Sequence, residues 1–164
     1  MSPSSSHFDD AGNARMVDIT DKAITVRTAV AEVRVRMQPE TLQQVRERSL
    51  KKGDVLAVAR LAAISGSKLT STLIPLCHAI PIEAVAVDFQ FEDSATLVCR
   101  STVKTTARTG VEMEALTACS VAALTVYDMC KSIDRAIEID GLKLMHKSGG
   151  KSGDFDRDAR EESR

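Results

Sequence analysis

Apolar positions change period several times along this chain, and each change marks an element. From Gly110 to Lys131 (GVEMEALTACSVAALTVYDMCK) the residues favour helix, and no Pro or Gly interrupts the run after Gly110. Glu112 and Glu114 fall in its first turn, where carboxylates suit the positive end of the helix dipole. Asp128 and Lys131 share a face in its last turn, and the stretch between the two ends carries no charge. The pattern predicts a long, buried helix with acids at one end and an Asp/Lys pair at the other. Ordinary dipole and capping preferences would place the same charges. Glu114 and Asp128 are then about 21 Å apart along the axis. One small ligand cannot reach both ends of one copy. Two subsites, or a second subunit bringing its opposite end alongside, would be needed.

Elsewhere the period is shorter. Ile24, Val26 and Val30, then Val33, Val35 and Met37, alternate as a strand whose phase changes near Glu32, which predicts a bulge. Arg27, Arg34 and Arg36 occupy the other positions. Pro39 suits the first position of a short helix carrying Leu42 and Val45. Asp54 is a good N-cap for a helix through Ile64, with Ser65 to Ser67 as its break and a further turn over Lys68 to Leu73 before Pro75. Val85, Val87, Phe89 and Phe91 predict one strand, and Leu97, Cys99 and Val103 the next, joined by a hairpin over Glu92 to Ala95. After the long helix, Ile137 and Ile139 and then Leu142 and Leu144 predict a last strand with a bulge at Asp140-Gly141. The order strand, helices, two strands, helix, strand is that of an α+β, ferredoxin-like domain, an antiparallel sheet with helices packed on one face. Residues 1–15 read as a flexible arm, 16–146 as the catalytic domain, and 147–164 as a mobile Lys/Gly loop followed by a charged, disordered tail.

At 164 residues the chain is long enough to bury a core without disulfides or metal. A net charge of −1 gives no reason to expect nucleic acid or an anionic membrane, and with aromatics at 3% base-stacking platforms are not expected either. No apolar run approaches a membrane span and the start lacks a signal-peptide core, so a soluble, cytoplasmic protein is expected. Cys77, Cys99, Cys119 and Cys130 contain no CxxC, and His7, His78 and His146 are scattered, so no Cys/His metal site is expected.

Four further segments bear chemistry. Lys51-Lys52-Gly53-Asp54 puts a lysine pair at a helix start, where an anion is favoured and a lysine pKa would be lowered toward the range of a general base. Leu73-Ile74-Pro75-Leu76-Cys77-His78 ends in a histidine able to hydrogen-bond a ligand; Cys77 and His78, being adjacent, point apart and do not form a nucleophile–base pair. Lys147 to Asp154 (KSGGKSGD) contains GKS but lacks the spacing of a P-loop, and still offers lysines on a glycine segment that can fold over phosphates. Ala107-Arg108-Thr109-Gly110 is a basic turn that aims the long helix. Spacing alone therefore describes an anion-binding α+β domain, either an enzyme or a catalytically silent nucleotide-binding module.

KGD at 52–54, LIPLCH at 73–78, GVEMEALT at 110–117, YDMCK at 127–131 and KSGGKSGD at 147–154, with MVDIT at 16–20, resemble the cyclic pyranopterin monophosphate synthase (MoaC) family. The resemblance runs from about residue 7 to 155, in fixed order. It implies a lyase of molybdenum cofactor biosynthesis that converts 3′,8-cyclo-7,8-dihydro-GTP to cyclic pyranopterin monophosphate and releases diphosphate. It also implies a homo-hexamer, a trimer of dimers with sites at a dimer interface. By resemblance Lys131 matches the family's general acid/base, Asp128 the aspartate beside it, and Lys52 a second catalytic lysine placed across the interface. Leu76, Cys77, His78, Glu112, Met113 and Glu114 match substrate-contacting positions, and Lys147 and Lys151 a mobile loop over the triphosphate. No cofactor is required; Mg²⁺ is the ion that a triphosphate could bring with it. Leu69 after Lys68 and Ala79 after His78 depart from the family pattern, which usually has a basic or polar residue and Pro there.

Overall fold

Alternation of small apolar residues on β1 (Thr25–Arg36) explains where the sheet faces its helices: Ala29, Ala31, Val33 and Val35 are all fully buried. A computed structural model describes residues 7–9, 11–151 and 153–157. After β1 come α1 (Pro39–Glu47), α2 (Val55–Lys68), α3 (Thr70–Leu73), β2 (Ala84–Phe91), β3 (Thr96–Ala107), α4 (Glu112–Cys130), β4 (Glu138–Ser148) and β5 (Phe155–Asp156). The strands form one sheet in the order β2-β3-β1-β4-β5, every neighbouring pair antiparallel. This is an α+β fold. α4 lies against β1, β3 and β4, and α2 packs beside it.

The phase change expected near Glu32 is not in β1 itself. β1 pairs with β3 without a slip from Thr25↔Ala107 to Arg36↔Thr96. Val26 and Val30 point to the outer face and the alanines point inward, so the larger apolar residues misstate the phase. The irregularities lie on the β4 side, between Val30/Ala31 and between Glu32/Arg34. The second coincides with the expected bulge at Asp140-Gly141, where Gly141 has φ +61. Glu32 is buried on the outer face, within 3.1 Å of Arg34, 2.7 Å of Arg100 and 4.0 Å of Lys143.

Asp54 caps α2 as expected, its Oδ1 accepting from the Ala57 N–H at 3.0 Å. The helix does not break at Ser65 to Ser67 but continues to Lys68. Ala59, Ala63, Gly66 and Ser67 form a buried stripe of small residues, and Ser67 Oγ donates to the Ile64 carbonyl at 2.8 Å. A Cβ on Gly66 would stand 2.7 Å from Val121 Cγ2 on α4. Close helix approach thus outweighs the weak propensity of Ser-Gly-Ser.

Both termini hold local order where none was expected. Phe8 bridges Ala14, with Asp9 Oδ1 accepting from the Ala11 and Asn13 N–H groups at 3.0 and 2.8 Å. β4 runs through Ser148, and Phe155 pairs back with Lys147. The rest of the charged tail, 158–164, and the first six residues lie outside the described residues.

Candidate active site

α4 is the axis of the site because its two ends emerge at opposite sides of the domain, and each end gathers a different chemistry. Among the described residues no helix is long and apolar enough to cross a membrane, and no group of three or more His, Cys, Asp or Glu side chains is arranged to hold a metal ion.

At the C-terminal end, Asp128 holds two ammonium groups. Lys131 Nζ lies 2.7 Å from Asp128 Oδ1. Lys52 Nζ donates to the Asp128 backbone carbonyl at 2.7 Å and lies 3.7 Å from its Oδ2. Carbonyls in the last helical turn lack intrahelical donors, so a lysine beside them is doubly favoured. Lys52 reaches this point because α2 begins where α4 ends. Within this one chain both lysines meet on one aspartate, whereas the resemblance places Lys52 across an interface. The Lys131 hydrogen bond and charge, followed by Lys52, hold the Asp128 carboxyl below its ordinary range. Asp128 in turn raises the Lys131 pKa, through the same hydrogen bond and then its charge. Within one chain the shift at Lys131 is therefore upward, opposite to the lowered pKa that a general base would need.

The N-terminal end opens into a cavity of about 1080 Å³. Its walls are the start of β1, the end of β3, the first turn of α4 and the glycine loop after β4. Lys22, Arg27, Arg108, Lys147 and Lys151 face Asp18, Asp21 and Glu112, leaving an excess of positive charge. Lys147 Nζ lies 3.0 Å from Glu112 Oε1. Glu112 folds back over Gly110, where a Cβ would stand 1.9 Å from its Oε2. Arg27 Nη1 donates to the Gly149 carbonyl at 3.0 Å and anchors the loop that carries Lys151.

The 74–83 connection brings Cys77 to Glu114 of α4 and His78 to the Val17 carbonyl. Leu76 is half-buried and Met113 is 36% exposed. The Cys77 thiol donates to Glu114 Oε1 at 3.9 Å, and burial, followed by the Glu114 charge, pushes its pKa up. Glu114 is buried, and desolvation raises its carboxyl pKa in spite of backbone hydrogen bonding. His78 Nε2 sits 2.7 Å from the Val17 carbonyl, which can only accept, so the ring carries its proton on Nε2. Among the described residues the buried side-chain nitrogens and oxygens without a partner are Thr25 Oγ1, Arg27 Nε and Glu114 Oε2, all at this end.

The structure therefore brings together Lys52, Asp128 and Lys131 at one end, and Cys77, His78, Glu112, Met113, Glu114, Lys147 and Lys151 at the other. It does not unite the two groups within one chain. Arg27 was not singled out from Arg34 and Arg36, yet it alone shares the inward parity of Ala29, Ala31, Val33 and Val35. An arginine in phase with buried alanines was the available signal. Arg108 was read only as a turn, and it lines the cavity.

A family model described as the MoaC family matches residues 16–150. A protein of Rhodopirellula baltica named cyclic pyranopterin monophosphate synthase is 58% identical over 166 residues, covering 95% of each chain. Proteins of the same name from Brevibacillus brevis and Syntrophomonas wolfei are 54% and 52% identical, covering 92% and 93% of this chain and 94% and 98% of their own.

Proposed function

The chain belongs to the MoaC family, and from that membership we propose that it is a cyclic pyranopterin monophosphate synthase, a lyase of molybdenum cofactor biosynthesis. Its substrate is 3′,8-cyclo-7,8-dihydro-GTP and its products are cyclic pyranopterin monophosphate and diphosphate. The observation that carries this reading is the pair of ammonium groups on Asp128. A module that merely binds a nucleotide needs cations, but has no use for two lysines organised on one carboxylate away from the anion cavity.

The chemistry asks for what the two ends offer. Opening one ring and closing another requires repeated proton transfers. Lys131, held protonated by Asp128, enters as the acid, and Lys52, anchored to the backbone, is the second proton-transfer group. Lys131 can act as a base once a further cation offsets Asp128. Closing the cyclic phosphate expels diphosphate, whose charge Arg27, Lys147 and Lys151 stabilise. Leu76, Cys77, His78, Met113 and Glu114 form the wall against the ring system. Mg²⁺ would enter as a counter-ion of the triphosphate oxygens.

One copy separates these groups by about 21 Å, which supports a site shared between two copies at a dimer interface; the homo-hexamer, a trimer of dimers, rests on the family resemblance. What the neighbouring copy supplies to the lysines is the cavity end. All four cysteines are free, three of them buried, in keeping with a cytoplasmic location.

The test is incubation of the protein with the cyclised dihydro-GTP, followed by assays of released diphosphate and of a fluorescent pterin after oxidation. Both products are expected. Absence of both overturns the proposal.

A further inference from the structure

One wall of the cavity is a strap that the fold barely holds. Residues 16–22 precede β1, and only Val17 and Ile19 are even half-buried. The segment satisfies itself locally: Thr20 N and Oγ1 both donate to Asp18 Oδ1, at 2.8 and 2.7 Å, and Lys22 N donates to the Ile19 carbonyl at 3.0 Å. Among the described residues it makes no backbone-to-backbone hydrogen bond with the rest of the fold. Two side chains hold it instead. His78 takes the Val17 carbonyl, and Arg108 Nη1 donates to the carbonyls of Thr20 and, at 3.2 Å, Lys22. The strap nevertheless contributes Asp18, Asp21 and Lys22 to the cavity wall.

We propose that Arg108 is a positioning residue, which fixes the strap as the outer wall of the anion cavity by gripping two of its carbonyls. This rests on the synthase reading only for its kinetic consequence. A guanidinium suits the task because its fixed fork can serve more than one acceptor while its charge stays on the cavity side. A segment with so little apolar burial and so few backbone bonds opens readily once such a grip is lost. The wall then loses Lys22 from the substrate's surroundings while Lys131 and Asp128, at the other end of α4, are untouched.

The experiment compares the full chain with Arg108→Ala and Arg108→Lys. Trypsin nicking at Lys22, in the absence of any ligand, is expected to be about tenfold faster in the alanine variant. The lysine variant, which keeps the charge and the donors on a single nitrogen but lacks the planar fork, should fall between. In the synthase assay the alanine variant should raise KM several-fold with kcat within about twofold, and lysine should restore part of the KM. Unchanged nicking at Lys22 overturns the proposal whatever KM does, since Arg108 would then act on the anion directly or not at all. A loss confined to kcat overturns it too. Faster nicking in the variant, with no product from the parental chain either, leaves Arg108's grip standing and sinks the synthase reading alone.

Discussion

Gly150→Ala tests whether the glycine loop and Arg27 form one unit. Gly150 has φ +83, and a Cβ there would stand 1.6 Å from Arg27 Nη1 and 2.4 Å from its Cζ. The left-handed backbone alone costs an L residue about 1–2 kcal/mol. Arg27 must also move, giving up its bond to the Gly149 carbonyl, and a hydrogen bond to a charged group is worth about 1.5–3 kcal/mol. Keeping the loop in place would thus cost about 2.5–5 kcal/mol. Lifting it is cheaper, because among the described residues its ties are the Arg27 bond, Gly149 N to Asp154 Oδ1 at 3.1 Å, and an internal Gly153-to-Gly150 bond at 3.3 Å. The loop should therefore open while the domain stays folded, with the thermal midpoint moving by no more than about 4 °C. Withdrawal of the loop and its Lys151 from the substrate's surroundings, one charged contact, should raise KM by about 10- to 150-fold. Gly153→Ala is the control: φ is +69, but nothing lies within 4 Å of its Cβ, so only the backbone term applies. Steady-state kinetics and thermal melts on both variants decide it. A Gly150→Ala protein with near-parental KM, or one no worse than Gly153→Ala, would refute the coupling of loop and arginine.

Lys131→Ala should cut turnover by about 10²- to 10⁴-fold and leave the fold intact, since the side chain is 52% exposed; near-normal product formation would reject its role as acid. Glu114 has a folded-state pKa raised above its ordinary 4.5 by burial, so the folded chain holds that proton longer than the unfolded one as pH rises. Its contribution to stability is fullest below the ordinary value and declines as pH climbs toward the folded one. Glu114→Gln should flatten that decline in melts taken from about pH 4 to pH 8, whereas a parallel pH profile would count against a buried, reluctant carboxylate. Gly66→Ala gains about 1 kcal/mol of helix propensity but drives a Cβ to 2.7 Å from Val121 Cγ2. Overpacking of about 1–3 kcal/mol should prevail in denaturant melts, and the penalty should shrink in a Val121→Ala background, which removes the 2.7 Å contact and keeps the Cβ at 2.9 Å.

How much of this was readable beforehand depends on whether local pattern or close packing decided the matter. α4, β2 and β3 were legible because long uninterrupted or strictly alternating apolar runs leave one reading. β1 was misphased because its inward residues at 29 and 31 are alanines, too small to announce a core. α2 continued past its expected stop because small residues that look like a break allow two helices to touch. The site's residue types were visible in their segments, but the meeting of Lys52 with Asp128 depends on α2 starting beside the end of α4, which no local pattern encodes. Arg108 showed its charge without its acceptors, since these are backbone carbonyls far away in sequence.

Lys52 is moored to a main-chain oxygen, while Lys131 is moored to a side chain. Replacing Asp128 would cast Lys131 adrift and leave Lys52 at its berth, because every amino acid brings the same carbonyl to that turn of the helix. Two groups of like charge beside one carboxylate thus respond unequally to its loss: Lys131 gives up a 2.7 Å partner, Lys52 only one at 3.7 Å.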